Sequence, residues 1–177
     1  AEDLEKAKSD HDVLVVFFGE EKSSEFESFE KFSKTNDAVT FAHVFDEKII
    51  KEYVKKGKVA VVLFKNFDEG RNDFEGDVTS SEELAKFLSD NMFPLIMDFS
   101  EKTAEKIFGE NAPCLFLFID DGEKSKKAIA EFEKIGEEMK GKILLSKSVV
   151  DEGLGHRLAE YIGVTAAQVP TVRLVNP

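Results

Sequence analysis

Tryptophan is absent from this chain of 177 residues, cysteine occurs once, histidine three times and proline four times. Each scarcity removes a class of chemistry. The single cysteine, Cys114, excludes an internal disulfide, a C-x-x-C redox pair and a multi-cysteine zinc site within these residues. His11, His43 and His156 stand at no metal-ligand spacing from one another or from Cys114, so no metal is expected. His43, between Ala42 and Val44 in a strand-like run, reads as a structural residue.

Long apolar runs are missing too. None approaches the roughly 18 residues that argue for a membrane span, and no charged-apolar-small pattern opens the chain as a signal peptide would. The expectation is a soluble polypeptide with no membrane partner. Basic charge is in deficit, with 24 Lys and Arg against 36 Asp and Glu and a net charge of −12. That balance repels nucleic acid and leaves no basic stripe to hold it.

No nucleophile elbow, P-loop or H-E-x-x-H helix occurs. "DEGLGHRL" (151–158) sets Gly153 and Gly155 where a dinucleotide fingerprint begins, but Leu158 fills the third glycine position. No cofactor is expected. Glu20–Glu21 and Asp120–Asp121 are adjacent carboxylates with nothing nearby to desolvate one of them, so they read as solvated loop residues. Cys114 enters the apolar run "CLFLF" and reads as a small buried hydrophobe. No catalytic constellation is visible.

What the chain does have is apolar content, 42% of residues, and 17 phenylalanines against two tyrosines. "VLVVFFG" (13–19) is too short for a buried helix and predicts a central strand. "SSEFESFEKFSK" (23–34) predicts a helix with Phe26, Phe29 and Phe32 on one face, and Ser24 with Glu27 has the spacing of a capping box. A strand over 38–45, a helix over 46–57, a strand over 59–67, a short hairpin partner over 73–78 and a helix over 80–91 follow. The order then restarts: strand 94–99, helix 100–109 capped by Ser100, strand 114–120, long helix 123–141, strand 142–150, helix 152–164 and a strand beginning at 170. This alternation argues for α/β units around mainly parallel sheets. It predicts two domains, 1–91 and 92–177. The first series lacks a counterpart of "PLIMDF" (94–99) and the second has no closing hairpin and helix, so a fragment cut inside both domains is expected.

Without a catalytic group, interest moves to apolar surface. Phe99, Ala104 and Phe108 sit at a strand end and on the helix after it, and Leu158, Tyr161 and Ile162 on a later helix. A contiguous apolar patch of this kind marks a binding surface.

"VVLFKNFDEGRNDFEGDVT" (61–79) and "FPLIMDFSEKTAEKIFG" (93–109) resemble the two central, non-catalytic thioredoxin-like domains of protein disulfide isomerase, called b and b′. The resemblance spans essentially the whole chain in linear order. "QVPTVRL" (168–174) is similar to the family's cis-proline loop and places Pro170 there. The resemblance implies two tandem thioredoxin-like domains, each a mixed sheet flanked by helices, working in the endoplasmic reticulum lumen. It implies flanking catalytic domains in the same parent chain, whose C-x-x-C pairs form and rearrange disulfides. At the corresponding corners this chain has "GEEKSSE" (19–25) and "DDGEKSK" (120–126), so it is expected to be redox-inactive itself. The family's apolar substrate pocket carries over to Phe99, Ala104, Phe108, Leu158 and Tyr161, with unfolded or misfolded polypeptides as partners. A structural spacer or dimerisation module that binds no polypeptide is the alternative.

Overall fold

The computed structural model describes residues 2–109 and 112–176. The chain divides into two compact units, Ala1–Pro94 and Leu95–Pro177. In the first, α1 (Glu2–Asp10) precedes β1 (Val13–Phe18), α2 (Ser24–Lys34), β2 (Thr40–Val44), α3 (Glu47–Tyr53), β3 (Ala60–Lys65), β4 (Arg71–Asp73) and α4 (Ser81–Asn91). The sheet order is β2-β1-β3-β4, with β1 and β2 parallel and the remaining pairs antiparallel.

β1 is apolar throughout because both of its faces are covered. Val15 and Phe17 point to one side, where Phe29 and Phe32 of α2 and Leu84 and Leu88 of α4 complete a core. Leu14, Val16 and Phe18 point to the other, toward Leu4 of α1 and Ile49 and Ile50 of α3. The Phe17 ring lies 5.3 Å from Phe26 and 5.5 Å from Phe29, so the phenylalanine spacing of α2 is spent on the central strand.

Several element ends differ from the sequence reading. The cap of α2 is Ser23, whose Oγ accepts from the Phe26 N–H at 3.1 Å, while the Ser24 hydroxyl donates to Glu25. With the cap one residue earlier, the third helical position is Phe26, which has no carboxylate to return, so the Ser24–Glu27 capping box does not form. α3 stops at Tyr53 rather than near Gly57: Val54 turns extended, and Arg71 Nη2 donates to the freed Tyr53 carbonyl at 2.6 Å. The hairpin strand is Arg71–Asp73, not 73–78. A tight turn with Asp68 and Gly70 at positive φ (49° and 74°) brings Arg71 opposite Phe64. At the end of β3 the buried Lys65 donates through Nζ to the Asn91 carbonyl at 3.2 Å and pairs with Glu69 at 3.2 Å. It sets a cation on the last turn of α4, where the helix dipole favours one.

The second unit runs β5 (Ile96–Asp98), α5 (Glu101–Gly109), β6 (Cys114–Ile119), α6 (Glu123–Lys134), α7 (Gly136–Met139), β7 (Leu144–Val149), α8 (Gly153–Ile162), a 3-10 turn at Ala166–Gln168 and β8 (Thr171–Val175). Pro177, at the end of the expected last segment, lies outside the described residues. Its sheet order is β5-β7-β6-β8, parallel except for β8. The long helix expected over 123–141 is broken at Ile135. That side chain and Met139 turn into the cluster of Leu117, Ile119, Phe132 and Leu145, and the helix resumes at Gly136. The Val169–Pro170 peptide is cis and leads into β8.

Both units therefore build on one arrangement. A central strand, β1 or β6, pairs parallel with the next strand and antiparallel with the one after. The chain is an α/β protein of mixed sheets flanked by helices.

α8 approaches β7 through a glycine. A Cβ on Gly155 would stand 2.0 Å from the Val149 carbonyl oxygen and 2.9 Å from Ser148 Oγ. Gly155→Ala must push helix from sheet. It is expected to destabilise the second unit by about 2 kcal/mol or more, read as a lower midpoint in urea unfolding.

Candidate functional site

The two strand-to-helix corners are held by local hydrogen bonds. After β1, the Gly19 N–H donates to the Val44 carbonyl at 3.2 Å, and Glu20, Glu21 and Lys22 face solvent. Ser23 Oγ donates to the Glu20 carbonyl at 2.7 Å while capping α2. Beside this corner lies a depression of ≈ 520 Å³ whose lining includes Glu21, Phe26, Glu27 and Glu30. After β6, Asp120 Oδ1 accepts from Ser125 Oγ at 2.6 Å and from the Gly122 N–H at 3.0 Å. The Ser125 hydroxyl, then the Gly122 amide, hold the Asp120 carboxyl below its ordinary range. Asp120 is thus a turn lock, ionised and engaged, not a poised acid.

Cys114 is fully buried at the start of β6, and burial pushes its thiol up to about 12. The reactive form of cysteine is the thiolate, so this thiol is a core side chain. Among the described residues no group of three or more His, Cys, Asp or Glu could hold a metal ion, and no helix is long and apolar enough to cross a membrane.

The apolar candidates separate by element. Phe99 follows β5, its N–H donating to the Lys147 carbonyl at 2.9 Å. Its ring meets Phe108 edge-on at 6.4 Å and Phe116 at 5.6 Å, and Phe108 stacks against Phe116 at 6.5 Å. Phe116 is fully buried in β6, yet Phe108 remains 38% exposed. Ala104 is half-buried on α5, whose inner face is Thr103 and Ile107. Phe116, the residue that gathers Phe99 and Phe108, is the one the sequence reading missed. The alternation of a strand is the signal for it, since Phe116 and Phe118 face opposite to Leu115 and Leu117.

α8 behaves differently. Leu158 is buried at 7% exposure, whereas Tyr161 is 87% exposed. The helix packs through Gly155, Leu158 and Ala159, and Tyr161 lies about 100° round its axis from the centre of that face. Leu158 and Tyr161 do not share a surface. Pro170 is half-buried beside β8.

Mixed sheets with a doubly covered central strand, thiol-free corners and an aromatic cluster open at one ring define a thioredoxin-like architecture without its redox centre. A family model described as "Thioredoxin-like domain" matches residues 18–177. The chain is 33% identical over 166 residues to the protein disulfide-isomerase of Oryctolagus cuniculus, covering 93% of this chain and 32% of that one. It is 31% identical over 177 residues to that of Drosophila melanogaster, covering 98% and 35%. In fold it is similar to the bb fragment of ERp72, with TM-score 0.64 at 10% identity, covering 99% of this chain and 86% of that one. It is also similar to human ERp44, with TM-score 0.60 at 15% identity, covering 98% and 48%. The chain belongs to the thioredoxin-like domain family and is similar to protein disulfide-isomerases. It spans about a third of the length of the curated relatives it matches.

A buried, protonated thiol sets a measurable behaviour. Labelling of Cys114 by a thiol reagent at pH 8 should proceed no faster than unfolding, and become immediate in denaturant. Because the folded thiol ionises near 12, its contribution to stability is intact below the unfolded value of about 8.5 and is lost as pH rises above it. Rapid labelling of the native protein would contradict a core role.

Proposed function

We propose that this chain is a polypeptide-binding scaffold: two tandem thioredoxin-like domains, 1–91 and 92–177, corresponding to the b and b′ domains of a protein disulfide isomerase. The second domain holds unfolded or misfolded polypeptides through Phe99, Ala104 and Phe108, with Leu158 beneath the helix that presents Tyr161. Disulfide chemistry belongs to C-x-x-C domains of the parent, in the endoplasmic reticulum lumen, and this part holds the substrate for them.

The observation that carries the reading is Phe108. It leaves more than a third of its surface in water while its ring neighbours are satisfied by one another. An aromatic so placed gains by covering itself with a partner's apolar side chain. Full burial of a Phe is worth roughly 1.5–3 kcal/mol, so the exposed part contributes about 1 kcal/mol. Ordering the bound segment offsets much of such gains. The binding is therefore weak and tolerant of sequence, which suits a holder that must release. Tyr161 can add a hydrogen bond at the rim without selecting a side chain.

The test is an NMR titration with an unstructured apolar peptide. Resonances of Phe99, Ala104 and Phe108 should shift, and Phe108→Ser should weaken binding by about fivefold while the urea midpoint of the second unit barely moves. Shifts confined to the first unit would overturn the assignment. So would a Phe108→Ser variant that unfolds the second unit, since that residue would then be core. Unaltered affinity in a folded variant would also overturn the assignment, and absence of any peptide binding by the unaltered chain would favour the spacer alternative.

A further inference from the structure

We propose that Thr103 is the positioning residue of the Phe99–Phe108 surface. Its hydroxyl ties the backbone on both sides of Phe99 to α5, so that Phe99, Ala104 and Phe108 meet a bound polypeptide as one rigid wall. The inference rests on the polypeptide-binding reading of that surface and adds to it the device that holds the surface in shape.

Ala104 and Phe108 stand on α5 one turn apart, so the helix itself fixes their spacing. Phe99 lies off the helix, in the link of Phe99 and Ser100 between β5 and α5. Its own N–H, bonded to the Lys147 carbonyl at 2.9 Å, ties it to the sheet. Nothing in that bond ties it to α5.

Thr103 supplies the connection. Its hydroxyl donates to the Asp98 carbonyl at 2.7 Å, and the same Oγ1 accepts from the Ser100 N–H at 2.9 Å. Those two groups belong to the peptide units on either side of the Phe99 Cα. With both planes held, the direction of the Phe99 Cα–Cβ bond is held as well. The ring is thereby kept edge-on to Phe108 and Phe116. Thr103 is only 8% exposed, so water cannot readily replace these bonds. Its β-branch restricts the rotation that would swing the hydroxyl away.

The residue type carries the argument further. Ser100 Oγ accepts from the Thr103 N–H at 3.3 Å while Thr103 Oγ1 accepts from the Ser100 N–H. This is the reciprocal pattern of a capping box, with threonine where glutamate or glutamine is usual. An ionised glutamate could return the bond to Ser100 but has no proton to give the Asp98 carbonyl. The cap serves the helix, and the bridge to Asp98 serves Phe99. A wall ordered in advance loses less freedom when a flexible segment settles on it.

The test uses the full chain, with labelled phenylalanines, titrated with an unstructured apolar peptide. Thr103→Val keeps the shape of the side chain and removes the hydroxyl. Ring-to-ring NMR contacts of Phe99 with Phe108 and Phe116 should weaken, and peptide affinity should fall about fivefold. Thr103→Ser, which keeps the hydroxyl, should restore both. Ile107→Val trims a fully buried neighbour on the same inner face of α5. It should lower the urea midpoint while leaving the Phe99 contacts and the affinity unchanged. The proposal is overturned if Thr103→Val alters neither readout, or if Ile107→Val weakens binding as much, since general helix stability would then be the cause. Unfolding of the second unit by Thr103→Val would also overturn it, because the hydroxyl would be holding the unit and not one ring. A native chain that binds no peptide overturns the reading beneath it, and the Phe99 contacts alone then decide whether Thr103 positions that ring.

Discussion

Burial of the central strand on both faces is the constraint on which the rest depends. β1 and β6 are six-residue runs with almost no exposed side chain. A strand of that kind costs too much in water to stand at an edge or under a single layer. It demands a paired strand on each side and a helical layer above and below. Every other element answers that demand. α2 supplies Phe29 and Phe32 to one face of β1, while α1 and α3 supply Leu4, Ile49 and Ile50 to the other. Phe132 of α6 and the turn at Ile135 close the corresponding face of β6.

The same constraint explains why the strand-to-helix corners are quiet. A chain leaving a buried strand to cover it with a helix must reverse direction within a few residues and satisfy the first amides of that helix. Ser23 meets both needs at one corner, while at the other Asp120, bonded to the Ser125 hydroxyl and the Gly122 amide, fixes the turn before an α6 that has no side-chain cap. In the thiol-bearing version of such a corner, the helix start would hold a thiolate and lower its pKa. In this chain the one thiol lies at the opposite end of the strand, where burial pushes it the other way.

Much of this was legible in the sequence because continuous apolar runs of six or seven residues admit one interpretation. β1, β3, β6 and β7 follow from composition, and the Phe spacing of α2 follows from helix periodicity. Element ends were less legible, because they are decided by partners distant in sequence. Arg71 ends α3 by taking the Tyr53 carbonyl, and Ile135 breaks a helix by joining a core that its neighbours cannot reach. The candidate site divides in the same way. Phe99 and Phe108 could be read as neighbours from their spacing, but Phe116 could not be singled out inside an apolar run until pairing register gave each residue a face. Tyr161 stands apart from Leu158 for a related reason. The inner face of α8 is formed by Gly155, Leu158 and Ala159, two of them too small for hydropathy to weigh, which leaves Tyr161 on the side that faces water.

The division of faces has a functional consequence. Fixed charges here serve the fold: Asp120 is engaged in its turn, Lys65 on the last carbonyl of α4 and Arg71 between Asp73 and Tyr53. Apolar area is left in water at Phe108, which closes one side of the Phe99 and Phe116 cluster. Apolar area discriminates little among partners and binds in proportion to what is covered. In the reading proposed above, one modest patch at Phe108 binds weakly and so does not delay release.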